Sequence, residues 1–438
     1  ITTHKAPSLG TKLAYGFGAA AFGIKDTGFS YFLLMFYSQV IGLDARLVGL
    51  ALTAALVLDA ISDPIVGYWS DNFRSRWGRR HLFMYASAIP ITISYFLLWS
   101  PPKGWDQTAL FWYVLVLAIL TRTFLTFFET PSAALAPELS RDYDERSTLL
   151  SFRTFFGWTG GNAMTVMMFF ILFPAFTTPA DASGQFNPEA YVVYGWIAAG
   201  LIFASIIVSS AGTHGHIARL TQPPARPRLT LPAVFREMFE TLSNRSFLSI
   251  FAAAMFANVG VGLGSALSVY FSTYFWGFAT VQIGFITLAV FASALVGAAL
   301  APALTRALGK KRGAITVGLA GLVISPSVIL LRLLGVLSDG SDSLTFWAVL
   351  IQGQLYVATV VCFQVLMASM IADLVEQSEL KTGRRSEGVF FAANTFIQKM
   401  TTGMGVMVAT LVLALARFPA GVNPSEVPDA VLHSLGWH

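Results

Sequence analysis

The sequence predicts an all-α integral membrane protein made of two six-helix halves. Of its 438 residues, 55% are hydrophobic and only 12% are charged, and the mean hydropathy is +0.65. A soluble domain of this length does not reach such values. The apolar residues also form runs long enough to cross a bilayer. The longest hydrophilic connection, residues 213–245, follows the sixth run and divides the chain into two halves.

Eleven apolar runs are candidate transmembrane helices, at residues 11–41, 47–70, 82–100, 108–137, 147–176, 190–212, 246–276, 280–305, 313–334, 344–373 and 387–417. Two six-helix halves require one more crossing, and the segment after Phe418 is too short and polar to supply it. We therefore expect that the twelfth helix is missing from these residues. We assign residues 1–212 to an N-terminal bundle, 213–245 to a cytoplasmic linker, and 246–438 to a C-terminal bundle with an external tail.

Basic residues cluster in alternate loops, including Arg74–Arg80, His214–Arg245 and Lys310–Arg312. The positive-inside rule places these loops in the cytoplasm. We therefore expect a cytoplasmic N-terminus and a location in a bacterial-type inner membrane. The same pattern explains the net charge of +5 without a nucleic-acid partner. The expected partners are a small-molecule substrate and membrane lipid, and the expected state is a monomer. The lone Cys362 excludes intrachain disulfides.

Two acids, Asp59 and Asp63, lie inside the second apolar run. A charged residue at the bilayer centre costs about 2.5–3.5 kcal/mol even on a lenient scale, so the pair requires compensation. Because Asp59, Ser62 and Asp63 are spaced i, i+3 and i+4, their oxygens project from one helical face and can converge on one ion. Hard oxygen ligands suit Na⁺ better than a soft metal, although a proton shared by the acids is an alternative. The remaining alternative is a structural ion pair with Arg or Lys on a neighbouring helix.

Two further groups of charged residues inside apolar runs are candidate substrate contacts. Lys25 and Asp26 are adjacent and therefore point about 100° apart around a helix, so one can face substrate while the other pairs elsewhere. Glu129 precedes Pro131 at an expected helix kink, and Arg153 can clamp substrate hydroxyls or a carboxylate. The alternatives are a Lys25–Asp26 pair and an interhelical Glu129–Arg153 salt bridge.

Thr126, three residues before Glu129, is a candidate fourth oxygen for the cation, and the alternative is a bond to its own backbone. Lys399, in the last run, is a candidate counter-charge for the acids when no cation is bound. Arg122 and Arg332 lie nearer the ends of their runs, and we expect them to extend to the membrane surface.

The loop between the second and third runs is a candidate cytoplasmic gate. Asp71 lies at a helix end, with Arg79 or Arg80 as a candidate partner. An enzyme is not expected, because the chain has no substantial extramembrane domain and its His residues lie in loops or tails, with no visible nucleophile–base arrangement. No cofactor is expected beyond a coupling Na⁺ or H⁺.

Five segments together resemble the glycoside–pentoside–hexuronide:cation symporters, the melibiose permease group within the major facilitator superfamily. They are residues 59–64, 75–80, 137–146 with Arg153 following, 372–379 and 382–388. The resemblance covers nearly the whole chain. It implies a major facilitator fold and a symporter that moves a sugar, glycoside or uronide by alternating access.

The resemblance implies that Asp59, Ser62, Asp63 and Thr126 form the coupling-cation site, with Ser62 where a relative has Asn.

It also implies sugar contacts for Lys25, Asp26, Glu129 and Arg153, and it aligns Lys399 with the charged residue of the eleventh helix.

Two departures concern the substrate. Glu129 replaces Asp, and Ala133 stands where an aromatic platform is expected, so a pyranose would lose its stacking face. Vertebrate lysophosphatidylcholine symporters resemble the same family and keep the paired acids without that platform. A cation-coupled lysophospholipid transporter or flippase is therefore the alternative function.

Overall fold

The computed structural model describes residues 7–73, 75–78, 80–140, 143–179, 181–217, 245–338, 342–382 and 387–437. Within these ranges the description omits the side chains of residues 64, 68, 71, 72, 137, 143, 144, 146, 147, 245–247, 371–382, 387–398 and 425. The chain divides into two compact units, Ile1–Arg228 and Leu229–His438. The boundary falls inside the linker expected from the sequence.

The described part of each unit is built from helices joined by turns and short irregular segments. The first unit contains α1 (Leu9–Phe17), α2 (Ala19–Thr27), α3 (Leu33–Met35), α4 (Ala45–Asn72), α5 (His81–Leu98), α6 (Gln107–Ala133), α7 (Ala136–Leu139), α8 (Tyr143–Met167), α9 (Phe173–Ala175) and α10 (Pro188–His214). The second contains α11 (Arg245–Tyr270), α12 (Thr280–Leu308), α13 (Lys310–Leu333), α14 (Ser343–Thr382), α15 (Glu387–Leu415) and α16 (Asp429–Trp437). Short π-helical turns occur at Gly28–Phe32, Phe36–Val40, Met168–Leu172 and Phe271–Phe275, and a 3₁₀ turn at Pro424–Glu426.

Nine helices of the described part are long and apolar enough to cross a membrane. The two other predicted spans are also helical. The first continues from α1 through α3 and its π-helical turns, and the last contains the shorter apolar helix Lys399–Leu415 within α15. The π-helical turns interrupt the regular hydrogen-bond ladder without ending the helical path. The helical character expected from the apolar runs is therefore confirmed.

Polar side chains begin three helices of the first unit. Asp44 accepts a hydrogen bond from the Arg46 amide at the start of α4 (2.8 Å). Asp106 accepts one from Ala109 at the start of α6 (3.1 Å), and Asn187 does so at the start of α10. These oxygens satisfy amides that have no partner within the helix, and so they fix where each long helix begins.

Glycines allow α2 and α8 to pack closely. A Cβ added to Gly23 would collide with the carbonyl oxygen of Gly157, and one added to Gly161 would lie 2.6 Å from the carbonyl oxygen of Gly23. Since neither glycine tolerates a side chain, the two backbones approach to a distance that other residues would prevent. The same unit packs α4 against α6 and α5 against both α6 and α10. This arrangement brings together the helices that carry the intramembrane charges.

Aromatic side chains fill the core near the π-helical turns of the first unit. Phe36 stacks on Tyr191 with ring centroids 4.6 Å apart, and Trp99 meets Tyr194 edge-on at 4.8 Å. Tyr37 donates to the carbonyl of Leu98 (2.7 Å). All five of these rings are almost fully buried, and they join α5, α10 and the end of the first helical segment.

The second unit packs α11 against α15, and α14 against α12 and α13. Cys362 is fully buried in an apolar cluster with Ala301 and Leu366. The residues after Phe418, expected to form an external tail, include α16, which packs on α13. Phe418 itself lies 4.9 Å from the Tyr274 ring, so the tail is packed against this unit.

Candidate cation and substrate site

The two intramembrane acids of α4 share one hydroxyl donor from α6. The Thr126 Oγ1 lies 2.9 Å from the Asp59 Oδ1 and 3.0 Å from the Asp63 Oδ1. Asp59 and Thr126 are each only 3% exposed, and Asp63 is half-buried. Since α4 and α6 pack side by side, the i, i+4 spacing of the acids places both carboxylates toward the same threonine. Three oxygens therefore converge at one buried position.

Ser62 lies on the same turn but is oriented differently. Its hydroxyl donates to the backbone carbonyl of Asp59 (2.9 Å), one turn earlier in α4. This contact uses the hydroxyl hydrogen and leaves the oxygen lone pairs as potential ligands. The predicted cation ligands thus include three oxygens that meet and a fourth hydroxyl turned toward its own helix.

Arg122 belongs to this cluster, and the prediction that it extends to the membrane surface is wrong. It is only 8% exposed, and its Nη1 lies 3.4 Å from the Asp59 Oδ2. Its guanidinium also lies over the Phe29 ring, 4.6 Å from the centroid. The prediction rested only on the distance of Arg122 from the end of its apolar run. Arg122, Thr126 and Glu129 are spaced i, i+4 and i+7, so their side chains share one face of α6.

The side chains of Lys25 and Asp26 point in different directions, because adjacent residues of a helix are about 100° apart around its axis. Lys25 is 3% exposed, whereas the Asp26 side chain is 52% exposed. Their charged groups are 3.6 Å apart, which is the local pair considered from the sequence. The Lys25 ammonium also lies 4.7 Å from the Phe22 ring centroid. The pair therefore presents a carboxylate outward and keeps its cation inside the unit.

Glu129 and Arg153 form the interhelical pair that the sequence allows. The Arg153 Nη2 lies 3.7 Å from the Glu129 Oε1, and its Nη1 donates to the Ser132 hydroxyl at 3.0 Å. The guanidinium also lies 6.0 Å from the Tyr15 ring centroid. Because the ion pair is long and its members are 14% and 29% exposed, both groups can still form hydrogen bonds with a solute. The pair is thus compatible with a structural role and with a binding role.

Arg80 forms a second buried ion pair. Its Nη2 lies 2.8 Å from the Glu138 Oε1, and its Nη1 donates to the Pro131 carbonyl at 3.4 Å. These contacts link the residue before α5 to the break between α6 and α7. Arg79 and the Asp71 side chain lie outside the described residues, so their pairing in the gate stays a prediction.

Lys399 is half-buried in α15 of the second unit. Its role as counter-charge to acids of the first unit stays a prediction. Ala133 is exposed at the end of α6, so the position expected to carry an aromatic platform presents a methyl group.

Sequence reasoning missed four residues at these sites: Phe29, Arg122, Ser132 and Glu138. Helical spacing could have found Arg122, as shown above. Ser132 lies three residues after Glu129, so spacing also places it on the same face of α6. Phe29 and Glu138 make their contacts across helices, and a single sequence carries no signal for such pairings.

Paired acids, ion pairs and a hydroxyl bridge inside membrane-spanning helices are typical of a membrane transporter. The match to a family model identifies it further: residues 14–438 match the MFS/sugar transport protein family. The chain belongs to this family, and its fold is that of the major facilitator superfamily. It is an integral membrane protein.

Several relatives are similar over most of their length. An uncharacterized symporter of Synechocystis sp. is 28% identical over 95% of this chain and 88% of its own. The isoprimeverose transporter of Lactiplantibacillus pentosus is 25% identical over 97% and 84%, respectively. Sodium-dependent lysophosphatidylcholine symporter 1 of Gallus gallus is also 25% identical, over 96% and 81%.

Solved structures support the fold. The crystal structure of a D-xylose-proton symporter aligns with a TM-score of 0.60 at 16% identity, covering 98% of this chain and 95% of that one. At this identity the likeness concerns the fold alone.

Proposed function

We propose that this protein is a cation-coupled symporter that moves a small polar solute, a sugar, glycoside or uronide, by alternating access. The observation that carries the proposal is the Thr126 hydroxyl that bridges Asp59 and Asp63 inside the first unit. Two carboxylates held on one donor repel each other, and a bound cation removes that repulsion. A structural ion pair alone would require only one acid.

Coupling follows from the energy of this charge inside the membrane. With the cation absent, an uncompensated carboxylate disfavours the closed form that buries the site. Cation and solute together favour that closed form, so the solute crosses the membrane only together with the cation. The oxygens that converge are carboxylate and hydroxyl oxygens, which fit Na⁺, and we take Na⁺ as the coupling ion with H⁺ as the alternative.

Solute binding is assigned to the two remaining charge pairs. Asp26 offers an exposed carboxylate, and the Glu129–Arg153 pair offers acceptors beside a guanidinium that already donates to Ser132. Carboxylates that accept from hydroxyl groups and an arginine fork that donates to them suit a polyhydroxy solute. The name of the isoprimeverose transporter supports this class of substrate.

The test is the thermal stability of the purified full-length protein against a panel of glycosides, hexuronides and lysophospholipids, each with Na⁺ or with choline at equal ionic strength. We expect a Na⁺-dependent stabilisation with one water-soluble solute. Asp63→Asn should abolish the Na⁺ dependence, while Glu189→Gln, at an acid with a 56% exposed side chain, should leave it unchanged. A Na⁺ response that survives Asp63→Asn would refute the assignment of the site.

A cation-coupled lysophospholipid transporter is the second candidate. It is supported by the methyl group of Ala133 in place of an aromatic platform and by the similarity to the Gallus gallus symporter. Stabilisation only by lysophospholipids in the same panel would favour it. Ala133→Trp should then weaken the lipid response, because a large ring would narrow an apolar cavity.

A further inference from the structure

Arg122 is positioned as a fixed cation beside the two acids. Its Nη1 lies 3.4 Å from Asp59, and the same guanidinium lies 4.6 Å from the centroid of the Phe29 ring, which is itself 4% exposed. The buried Nε has no hydrogen-bond partner among the described residues. A guanidinium between an aromatic face and a carboxylate is held by cation–π and Coulomb attraction together. The Arg122 charge therefore belongs to the site.

This charge changes the balance that a coupling ion meets. Asp59 and Asp63 contribute two negative charges and Arg122 one positive charge. The three groups therefore carry a net charge of −1, and a site without the arginine would carry −2. The Lys25 ammonium lies 5.9 Å from the centroid of the same Phe29 ring, but its charge is balanced by Asp26, whose carboxylate is 3.6 Å away.

We propose that Arg122 is a resident counter-cation that limits the site to one monovalent cation and weakens the binding of that cation. This inference rests on the proposed function, since it concerns the ion at Asp59 and Asp63. In chemical terms, Arg122 occupies one flank of Asp59 and lowers the negative potential that attracts Na⁺. The same charge disfavours a divalent ion, which would leave the cluster positive.

The expected size of the effect follows from Coulomb's law. An ion that contacts both acids would lie about 5 Å from the guanidinium. At that distance, with an effective dielectric constant of ~20, the repulsion between the two positive charges lowers the affinity for the ion by roughly two orders of magnitude. Replacing Arg122 with a neutral residue should therefore tighten Na⁺ binding about 100-fold. The reorganisation of Phe29 and solvent would reduce this gain, but a tenfold change is still readily measured.

The experiment measures the melting temperature of purified full-length protein as the Na⁺ concentration is raised at constant ionic strength, without substrate. The Na⁺ midpoint is the concentration that gives half of the maximal stabilisation. Arg122→Gln should lower the Na⁺ midpoint about 100-fold, and adding Asp63→Asn to that variant should remove the response. Arg122→Lys, which keeps the charge, should stay near the wild-type midpoint. The matched control is Arg332→Gln, at a half-buried arginine of the second unit that lies 4.4 Å from the Phe275 ring centroid. It should leave the midpoint unchanged.

A second variant keeps the test valid if Arg122→Gln does not fold. Arg122→Met also removes the charge but keeps an unbranched apolar side chain beside the Phe29 ring, and it should lower the Na⁺ midpoint as Arg122→Gln does. Asp59→Asn alone brings the net charge of the three groups to zero and removes a proposed ligand, so it should abolish the Na⁺ response.

The two proposals fail in different ways. If Arg122→Gln leaves the Na⁺ midpoint unchanged while Asp63→Asn abolishes binding, the role of Arg122 is wrong and the symporter proposal stands. If the Na⁺ response of Arg122→Gln survives the addition of Asp63→Asn, the cation site itself is misassigned. Both proposals then fall.

Discussion

The ion pair between Arg80 and Glu138 offers a sharp test of how charges stabilise the first unit. The charged groups are 2.8 Å apart, and their side chains are only 7% and 12% exposed. Removing one member of such a pair leaves a buried charge without its closest opposite charge, which typically costs about 3–5 kcal/mol. Glu138→Gln is therefore expected to destabilise the unit strongly.

The size of the thermal shift follows from the size of the unit. For a unit of about 200 residues, each kcal/mol changes the melting temperature by roughly 2–4 °C, so the expected fall is roughly 6–20 °C. The control is Glu189→Gln, since the Lys103–Glu189 pair is 3.7 Å long and its side chains are 88% and 56% exposed. Solvent screens such a pair, which is worth at most about 1 kcal/mol, and the shift should not exceed about 4 °C.

The assay is thermal unfolding of the purified protein, followed by tryptophan fluorescence. A charge-free double variant, Arg80→Met with Glu138→Leu, should recover most of the loss, because neither partner is then left as a buried charge. The reasoning is refuted if Glu138→Gln shifts the melting temperature no more than Glu189→Gln does. It is also refuted if the double variant is no more stable than the single one.

Two further predictions concern the contacts between helices. Thr126→Val removes one of the oxygens proposed to bind the cation and should weaken Na⁺ binding roughly 10- to 100-fold, the scale of one polar contact to a charged group (about 1.5–3 kcal/mol). The control is Thr121→Val, on the same helix at a fully buried hydroxyl without a hydrogen-bond partner among the described residues, and it should leave the Na⁺ titration unchanged. Equal titrations for the two variants would contradict the bridge. Gly23→Ala should lower the melting temperature, because its Cβ collides with a backbone carbonyl of α8, whereas Gly200→Ala has no atom within 4 Å of the added Cβ and should be neutral or stabilising. A neutral Gly23→Ala would show that α2 and α8 are not packed this closely.

The sequence predicted the features that depend on local spacing. The i, i+4 separation of Asp59 and Asp63 within an apolar run is sufficient to place two carboxylates on one face of a membrane helix. The kink expected at Pro131, a residue that lies two positions before the end of α6, stays a prediction. These features follow from backbone geometry and from the cost of charge in hydrocarbon, and they do not require knowledge of which helices are neighbours.

The sequence did not predict the partners of these groups across helices. Glu138 meets Arg80 although 58 positions separate them, and Phe29 meets Arg122 although 93 positions separate them. Such contacts depend on helix packing, which here is set partly by glycine faces such as that of Gly23. Arg122 was misjudged for a related reason: depth along a run determines whether an arginine can reach the membrane surface, but the neighbouring helix determines whether it does.

The charges of the candidate site favour one kind of transport cycle. Lys25, Arg122 and Arg153 contribute three positive charges, and the four acids Asp26, Asp59, Asp63 and Glu129 contribute four negative charges, so the site carries a net charge of −1. One monovalent cation brings this total to zero, and a neutral glycoside would leave it there. A uronide would restore the negative charge and require a second cation for the same balance. Because moving an unbalanced charge through a closed form in the membrane is costly, the arrangement favours a neutral solute transported with one cation.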